Sequence, residues 1–255
     1  MIVATDDIGD VETGLFVEAL YRRYGIDFRG FRRAAIRPRL EAQAARCGVP
    51  DISSLQGRVL RDAAACREAV GALGAVSSQF LVDDTCFAAL RLAVLPILRS
   101  SSWPTLWLAD AGGPALPMRV LAMLEEEDLR RKTEVFVTSA DEDVLAGLEQ
   151  VRSLNASWFE NVILAQYDLS TDASFKEFAA IICQRPLADF EPELQARALG
   201  LFAESLCSFG ILQVESPGHM LAAGFGSQFT AVLSEQGIYR RAPSIARARG
   251  WQRYG

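Results

Sequence analysis

From residue 103 onward the chain alternates short apolar runs with amphipathic stretches, and this rhythm restricts the fold more than any other feature. TLWLA (105–109), TEVFVTS (133–139), NVILAQYDL (161–169) and FAAIICQ (178–184) read as strands, each too apolar to present one face to water. FGILQVES (209–216) reads as a late strand, and GIYRR (237–241) as a possible closing one. MRVLAMLEEEDLRR, EDVLAGLEQVRSL and ELQARALGLFAESL space their apolar residues as helices do. Buried strands separated by helices of this length predict an α/β domain with a mainly parallel sheet covered on both faces.

Residues 10–75 lack that alternation and read as helices only. VETGLFVEALYRRYG ends on Gly25, a fitting helix stop. DFRGFRRAAIRPRLEAQAARCG is expected to form a second helix, with Arg29, Arg33 and Arg37 on one face and Pro38 kinking or restarting it. LQGRVLRDAAACREAVGAL supplies another helix, and DDTCFAALRLAVLPILRS runs to a serine linker at Ser100–Ser102. The reading is an all-helical N-terminal domain with its linker helix over residues 1–99, then the α/β domain over 100–255.

Several functions are excluded by what the chain lacks. One histidine, His219, leaves no Ser-His-Asp triad and no histidine metal site. It reads as a loop residue. Five scattered cysteines without C-x-x-C pairs suit small buried side chains in a reducing cytosol. No run of about 18 apolar residues predicts membrane insertion, and the acidic N-terminus lacks the order of a signal peptide, so a cytoplasmic protein is expected. The net charge of −6 is uneven, for residues 21–40 hold seven arginines against one aspartate. Such a segment suits docking on an acidic partner rather than nucleic acid, or a solvated face in an arginine-rich chain. The acidic run at Glu125–Asp128 reads as a solvated helix face.

The order of elements and several words resemble the CheR-type chemotaxis-receptor methyltransferases, which move a methyl group from S-adenosylmethionine to receptor glutamates. ALYRRYGIDFRGFRRAAIRPRL resembles that family's helical-domain signature, and FAALRLAVLPIL the helix before its first strand. The stretch from ILAQYDL to LFAESL resembles its later strand, turn and helix. The resemblance implies a Rossmann-like methyltransferase sheet behind the helical domain. It also implies receptor docking through the basic helix, here Arg29, Arg32, Arg33, Arg37 and Arg39.

At the cofactor positions the chain departs from the family pattern. In WLADAGGPALPMR the first turn glycine becomes Asp110, the second Pro114, the two glutamates Ala115 and Leu116, and the tyrosine near the reaction centre Met118. Ala109, Asp110, Gly112 and Gly113 keep the position of the loop, and its glycines still allow a tight turn. Val82 stands for an arginine, Ser139 for the ribose-holding aspartate, Asp168 for an asparagine, and Gln184-Arg185 for Arg-Asn. Asp141, two residues past Ser139, could rescue part of the ribose contact. Only residues 140–161 fill the interval where the family carries a small β-subdomain, room for one helix and a turn.

Five changed stations point to a degenerate member of bacterial chemosensory or two-component signalling, a pseudoenzyme that works by binding a chemoreceptor or another signalling protein. No cofactor and no metal are expected, and Val82 and Met118 mark eroded catalytic positions. The alternative is an active glutamate O-methyltransferase that uses S-adenosylmethionine.

Overall fold

A computed structural model describes residues 7–75, 83–215 and 225–243. Four helices form the N-terminal domain: α1 (Ile8–Tyr24), α2 (Arg33–Arg46), α3 (Ile52–Val59) and α4 (Ala63–Gly74). Asp7, Asp51 and Asp62 cap α1, α3 and α4 by accepting bonds from backbone N–H groups of the first turn. Gly25 closes α1 in the left-handed conformation, its N–H donating to Tyr21 O at 2.9 Å. Phe16, Leu20, Ile36, Leu40, Leu55 and Leu73 are fully buried between these helices, giving the domain its own apolar centre.

The helical domain differs from expectation in two places. α2 starts at Arg33 rather than Asp27, because residues 30–32 pair with another part of the chain, so Arg29 is not on the helix of Arg33 and Arg37. Pro38 lies inside a continuous helix and does not restart it. The stretch expected as one helix from Leu55 is two, divided where Asp62 caps α4.

After α5 (Asp84–Ser100) come β1 (Thr105–Ala109), α6 (Ala115–Glu126), β2 (Glu134–Ser139), α7 (Glu142–Leu154), β3 (Val162–Gln166) and β4 (Phe178–Cys183). The chain continues with α8 (Pro192–Ser205), β5 (Leu206–Val214), β6 (Phe229–Leu233) and β7 (Ile238–Arg241). The seven strands make one sheet in the order β3-β2-β1-β4-β5-β7-β6. All pairs from β3 to β5 are parallel, and β7 is antiparallel to both of its neighbours. The domain is α/β and Rossmann-like, as its alternation predicted. β6 was not foreseen. Residues 140–161 hold α7 and a short 3-10 turn at Ala156–Phe159, with no strand among them.

Helices cover both faces. Leu106, Leu108, Val135, Val137 and Ile182 meet α5, α6 and α7 on one side. Trp107, Phe136, Phe178, Ile181 and Leu212 meet α8 on the other. β3 is an edge strand, and its Ile163 is 39% exposed, so that strand is not buried on both faces as expected.

The domains join along a short backbone seam. Phe31 and Phe190 form an isolated antiparallel bridge, Arg32 N donates to Asp189 O at 2.8 Å, and Glu191 N donates to Gly30 O at 2.8 Å. Arg39 adds a salt bridge to Asp189 at 2.7 Å, and the Phe31 and Phe190 rings meet edge to face at 4.9 Å.

Candidate functional site

In an open parallel sheet, ligands bind outside the carboxyl ends of the strands where the strand order reverses. Here that point lies between β1 and β4, since β1 leads to β2 on one side and β4 to β5 on the other. Asp110 follows β1 directly, with φ of 52°. This is the left-handed conformation that a glycine would adopt freely and that most side chains avoid. Ala111 N donates to Thr138 O at 2.7 Å and Gln184 N to Ala109 O at 3.0 Å, so the tips of β1, β2 and β4 are held together here.

The Asp110 carboxylate accepts a hydrogen bond and salt bridge from Arg185 Nε, which follows β4. Both side chains are buried, at 7% and 5% exposure. Arg185 also crosses to the helical domain, donating from Nη2 to Gly74 O at 3.0 Å and lying 5.4 Å from the Phe31 ring centre. Burial works against the guanidinium charge, but the Asp110 carboxylate outweighs it and holds the Arg185 pKa above its ordinary value. Nearby Cys183 is a buried thiol pushed up to about 12 by burial and by the charge of Asp110, which makes it a poor nucleophile.

Beside this pair a cavity of about 480 Å³ opens between the two domains, within the size range of small-molecule sites. Phe28, Phe31, Val70 and Gly71 line it from the helical domain, and Asp110, Asp141, Gln166, Asp168 and Arg185 from the sheet. Asp141 caps α7 through Oδ1, which accepts from Asp143 N at 2.9 Å. Asp168 holds the turn after β3, its Oδ1 accepting from Ser170 N at 2.8 Å and Ser170 Oγ at 2.6 Å.

The residues singled out from the sequence divide. Asp110, Asp168 and the rescue candidate Asp141 line the cavity together, whereas Ala109, Gly112, Gly113 and Ser139 do not. Ser139 is buried, its Oγ accepting from Asp141 N at 3.2 Å. Gly112 N donates to Gln184 Oε1 at 3.1 Å. Pro114 precedes α6 and gives it no side-chain cap, and Met118 is half-buried against the apolar core on its side of the sheet. Val82 and His219 lie outside the described residues. Sequence reasoning missed Arg185 as the partner of Asp110. The signal was there, as two complementary charges at two positions that depart from the same pattern.

The five arginines expected to form a docking stripe are engaged inside the molecule to different degrees. Arg29 is bound by both oxygens of Asp27, with the nearer contact at 2.8 Å, and stacks 3.4 Å from the Tyr21 ring centre. Arg37 holds Asp7 at 2.5 Å, Asp10 at 3.3 Å and Glu41 at 2.8 Å. Arg32 donates to Phe190 O at 3.0 Å and Arg39 to Leu73 O at 2.9 Å, so both face the seam. Arg33 remains exposed and pairs with no carboxylate among the described residues. The expected stacking of Arg29 with Arg33 and Arg37 does not hold, because α2 starts at Arg33 rather than at Asp27.

Among the described residues there is no cluster able to hold a metal ion, and no helix long and apolar enough to cross a membrane.

A helical domain docked on a seven-stranded sheet of this order is an S-adenosylmethionine-dependent-methyltransferase fold with an N-terminal addition. Residues 12–73 match the family described as "CheR methyltransferase, all-alpha domain". The chain is 28% identical over 268 residues to "Putative methyltransferase Cher3" of Pseudomonas putida, covering 91% of this chain and 97% of that one. It is thus a CheR-like protein of methyltransferase fold. Solved structures are more distant. CalS10, a SAM-bound amino pentose methyltransferase from Micromonospora echinaspora, is 17% identical with a TM-score of 0.38, over 52% of this chain and 49% of that one. The glycopeptide N-methyltransferase MtfA, complexed with S-adenosyl-L-homocysteine, is 22% identical with a TM-score of 0.36, over 52% and 50%.

Proposed function

We propose that this CheR-like chain is a degenerate methyltransferase of bacterial chemosensory or related two-component signalling, a cytoplasmic protein that acts by binding a signalling partner. The observation that carries the reading is the buried Asp110–Arg185 pair at the strand-order reversal. An adenosyl cofactor at a Rossmann-like sheet needs close backbone approach at the first turn and free N–H groups at the following helix. Asp110 puts a side chain where that approach would be made, Arg185 fills the space from the other strand, and Pro114 brings no donor to the start of α6. The residues present do not fit the cofactor, and no chemical step is derived through it.

The second reading, an active S-adenosylmethionine-dependent glutamate methyltransferase, is favoured by the names of the family and the relative and by the cavity kept beside the pair. The comparisons speak for it more directly than for the binding reading. Calorimetric titration with adenosylhomocysteine separates the two. Losing three or four polar contacts weakens affinity by several orders of magnitude, so no saturable heat is expected at about 100 µM ligand. A dissociation constant of ~1 µM would overturn the degenerate reading instead.

Partner docking, on this proposal, uses the basic side chains that stay outside: Arg22 and Arg23 at the end of α1, and Arg33 at the start of α2. Reversing these three to glutamate should slow association with an acidic receptor by about one to three decades at low salt, leaving circular dichroism unchanged. Reversal of Arg240 and Arg241 on the β7 strand is the control. Equal binding by both variants in a pull-down with cognate receptors would remove the docking role.

A further inference from the structure

We propose that a second copy of this chain pairs antiparallel with β6, so that two seven-stranded sheets join edge to edge across a two-fold axis. β6 ends the sheet and pairs with β7 alone among the described strands. An edge strand presents main-chain N–H and C=O groups to any strand that reaches it, and natural edges are guarded by charge, by proline or by a covering helix or loop. FTAVL carries no charged side chain and no proline. Phe229 is buried, but the four residues after it are exposed, Val232 at 38% and Leu233 at 39%. Successive side chains point to opposite faces, so this end of the sheet is open on both. The opposite edge is better covered: β3 keeps Val162 buried and Leu164 and Ala165 half-buried, and of its apolar residues only Ile163 is exposed.

Charge along the edge selects a copy of the same strand as its occupant. At its start β6 lies beside Arg240 and Arg241 of β7, the register partners of Thr230 and Phe229. Just past its end comes Glu235, exposed in the turn Ser234–Gln236. Neither Arg240 nor Glu235 has an ion-pair partner among the described residues. One end of the edge is therefore basic and the other acidic. Antiparallel pairing about a two-fold axis sets the acidic end of each copy toward the basic end of the other. The charges then lie about two strand spacings apart, roughly 10 Å, which arginine and glutamate side chains together span. Parallel pairing would bring like ends together. The register of β6 against β7 also shifts between Ala231 and Leu233, and such a bulge bends and twists its strand. A two-fold copy brings the same bend to the same place, as a regular strand does not.

Sedimentation equilibrium of the full chain should show a reversible dimer with a dissociation constant of ~10 µM. Val232→Lys puts a charge at an exposed site of the edge, twice per dimer and close to the axis, and should weaken the dimer at least about tenfold. Ile163→Lys places the same charge on the β3 edge and should leave the dimer unchanged. Melting curves establish that both variants fold. If Val232→Lys does not, amide hydrogen exchange on the parent chain supplies the readout. Residues 229–233 should gain protection as the chain concentration rises from about 1 to about 100 µM. A monomer at ~200 µM, a dimer indifferent to Val232→Lys, or exchange at β6 that does not depend on concentration would overturn the proposal. A dimer lost with Ile163→Lys would overturn it as well, since β3 would then form the contact.

Discussion

Replacing Arg185 with methionine is expected to lower the melting temperature by roughly 10 °C. The substitution leaves the Asp110 carboxylate buried without its cation and removes the donor to Gly74 O, so it strikes the sheet and the domain seam together. Breaking a buried ion pair from one side costs about 3–5 kcal/mol. Loss of the partnerless Nη1 offsets some of that, which places the expected value near the lower end. The double variant Asp110→Gly, Arg185→Met tests the cause. It removes both charges and gives the left-handed position at 110 the residue that adopts it without strain. Most of the lost stability should return, with a coupling energy of about 1–3 kcal/mol in the double-mutant cycle. If Arg185→Met melts within about 2 °C of the parent, the pair is not the fastening described here.

Trp107→Ala is expected to cost about 4–5 kcal/mol in urea unfolding followed by circular dichroism. Trp107 is fully buried in β1, among the rings of Tyr167, Phe175, Phe178 and Phe202 at 5.1–5.8 Å between centres. Alanine would leave a void lined by these rings, and the dispersion contacts of the indole with them would be lost. Its indole Nε1 also donates to Thr138 Oγ1 at 2.9 Å, tying β1 to β2 by side chains. Trp107→Phe keeps the packing and loses the bond, so about 1–2 kcal/mol is expected. A loss below 1 kcal/mol for the alanine variant would mean that this aromatic cluster does not anchor the sheet.

The two variants also mark what the amino-acid order made legible. β1 was readable because TLWLA is an unbroken apolar run, and the same held for β2 and β4, which lie in the middle of the sheet. β6 was not, since FTAVL is a short edge strand with one buried residue and no α-helix follows it among the described residues to mark the alternation. α2 was misplaced for a tertiary reason: residues 30–32 satisfy their backbone groups against residues 189–191, and no local pattern predicts that choice. The split between α3 and α4 was legible in principle, because Asp62 before three alanines is a helix-start signal. At the site, the loop after β1 was found and the carboxylates at 141 and 168 were named. Arg185 was seen only as a departure, since 75 positions separate it from Asp110 and only the sheet brings them together.

Part of the seam between the domains is written in main-chain atoms: Arg32 N to Asp189 O and Glu191 N to Gly30 O, which together make the bridge between Phe31 and Phe190. Peptide groups are the same whatever side chain they carry, short of proline. Descendants of this chain can therefore keep those two bonds through changes of side chain, whereas the contacts of Arg39, Asp189 and Arg185 tie the join to particular residues. Drift along the lineage is thus permitted unevenly, wide where peptide groups meet and narrow where a guanidinium bridges the two domains.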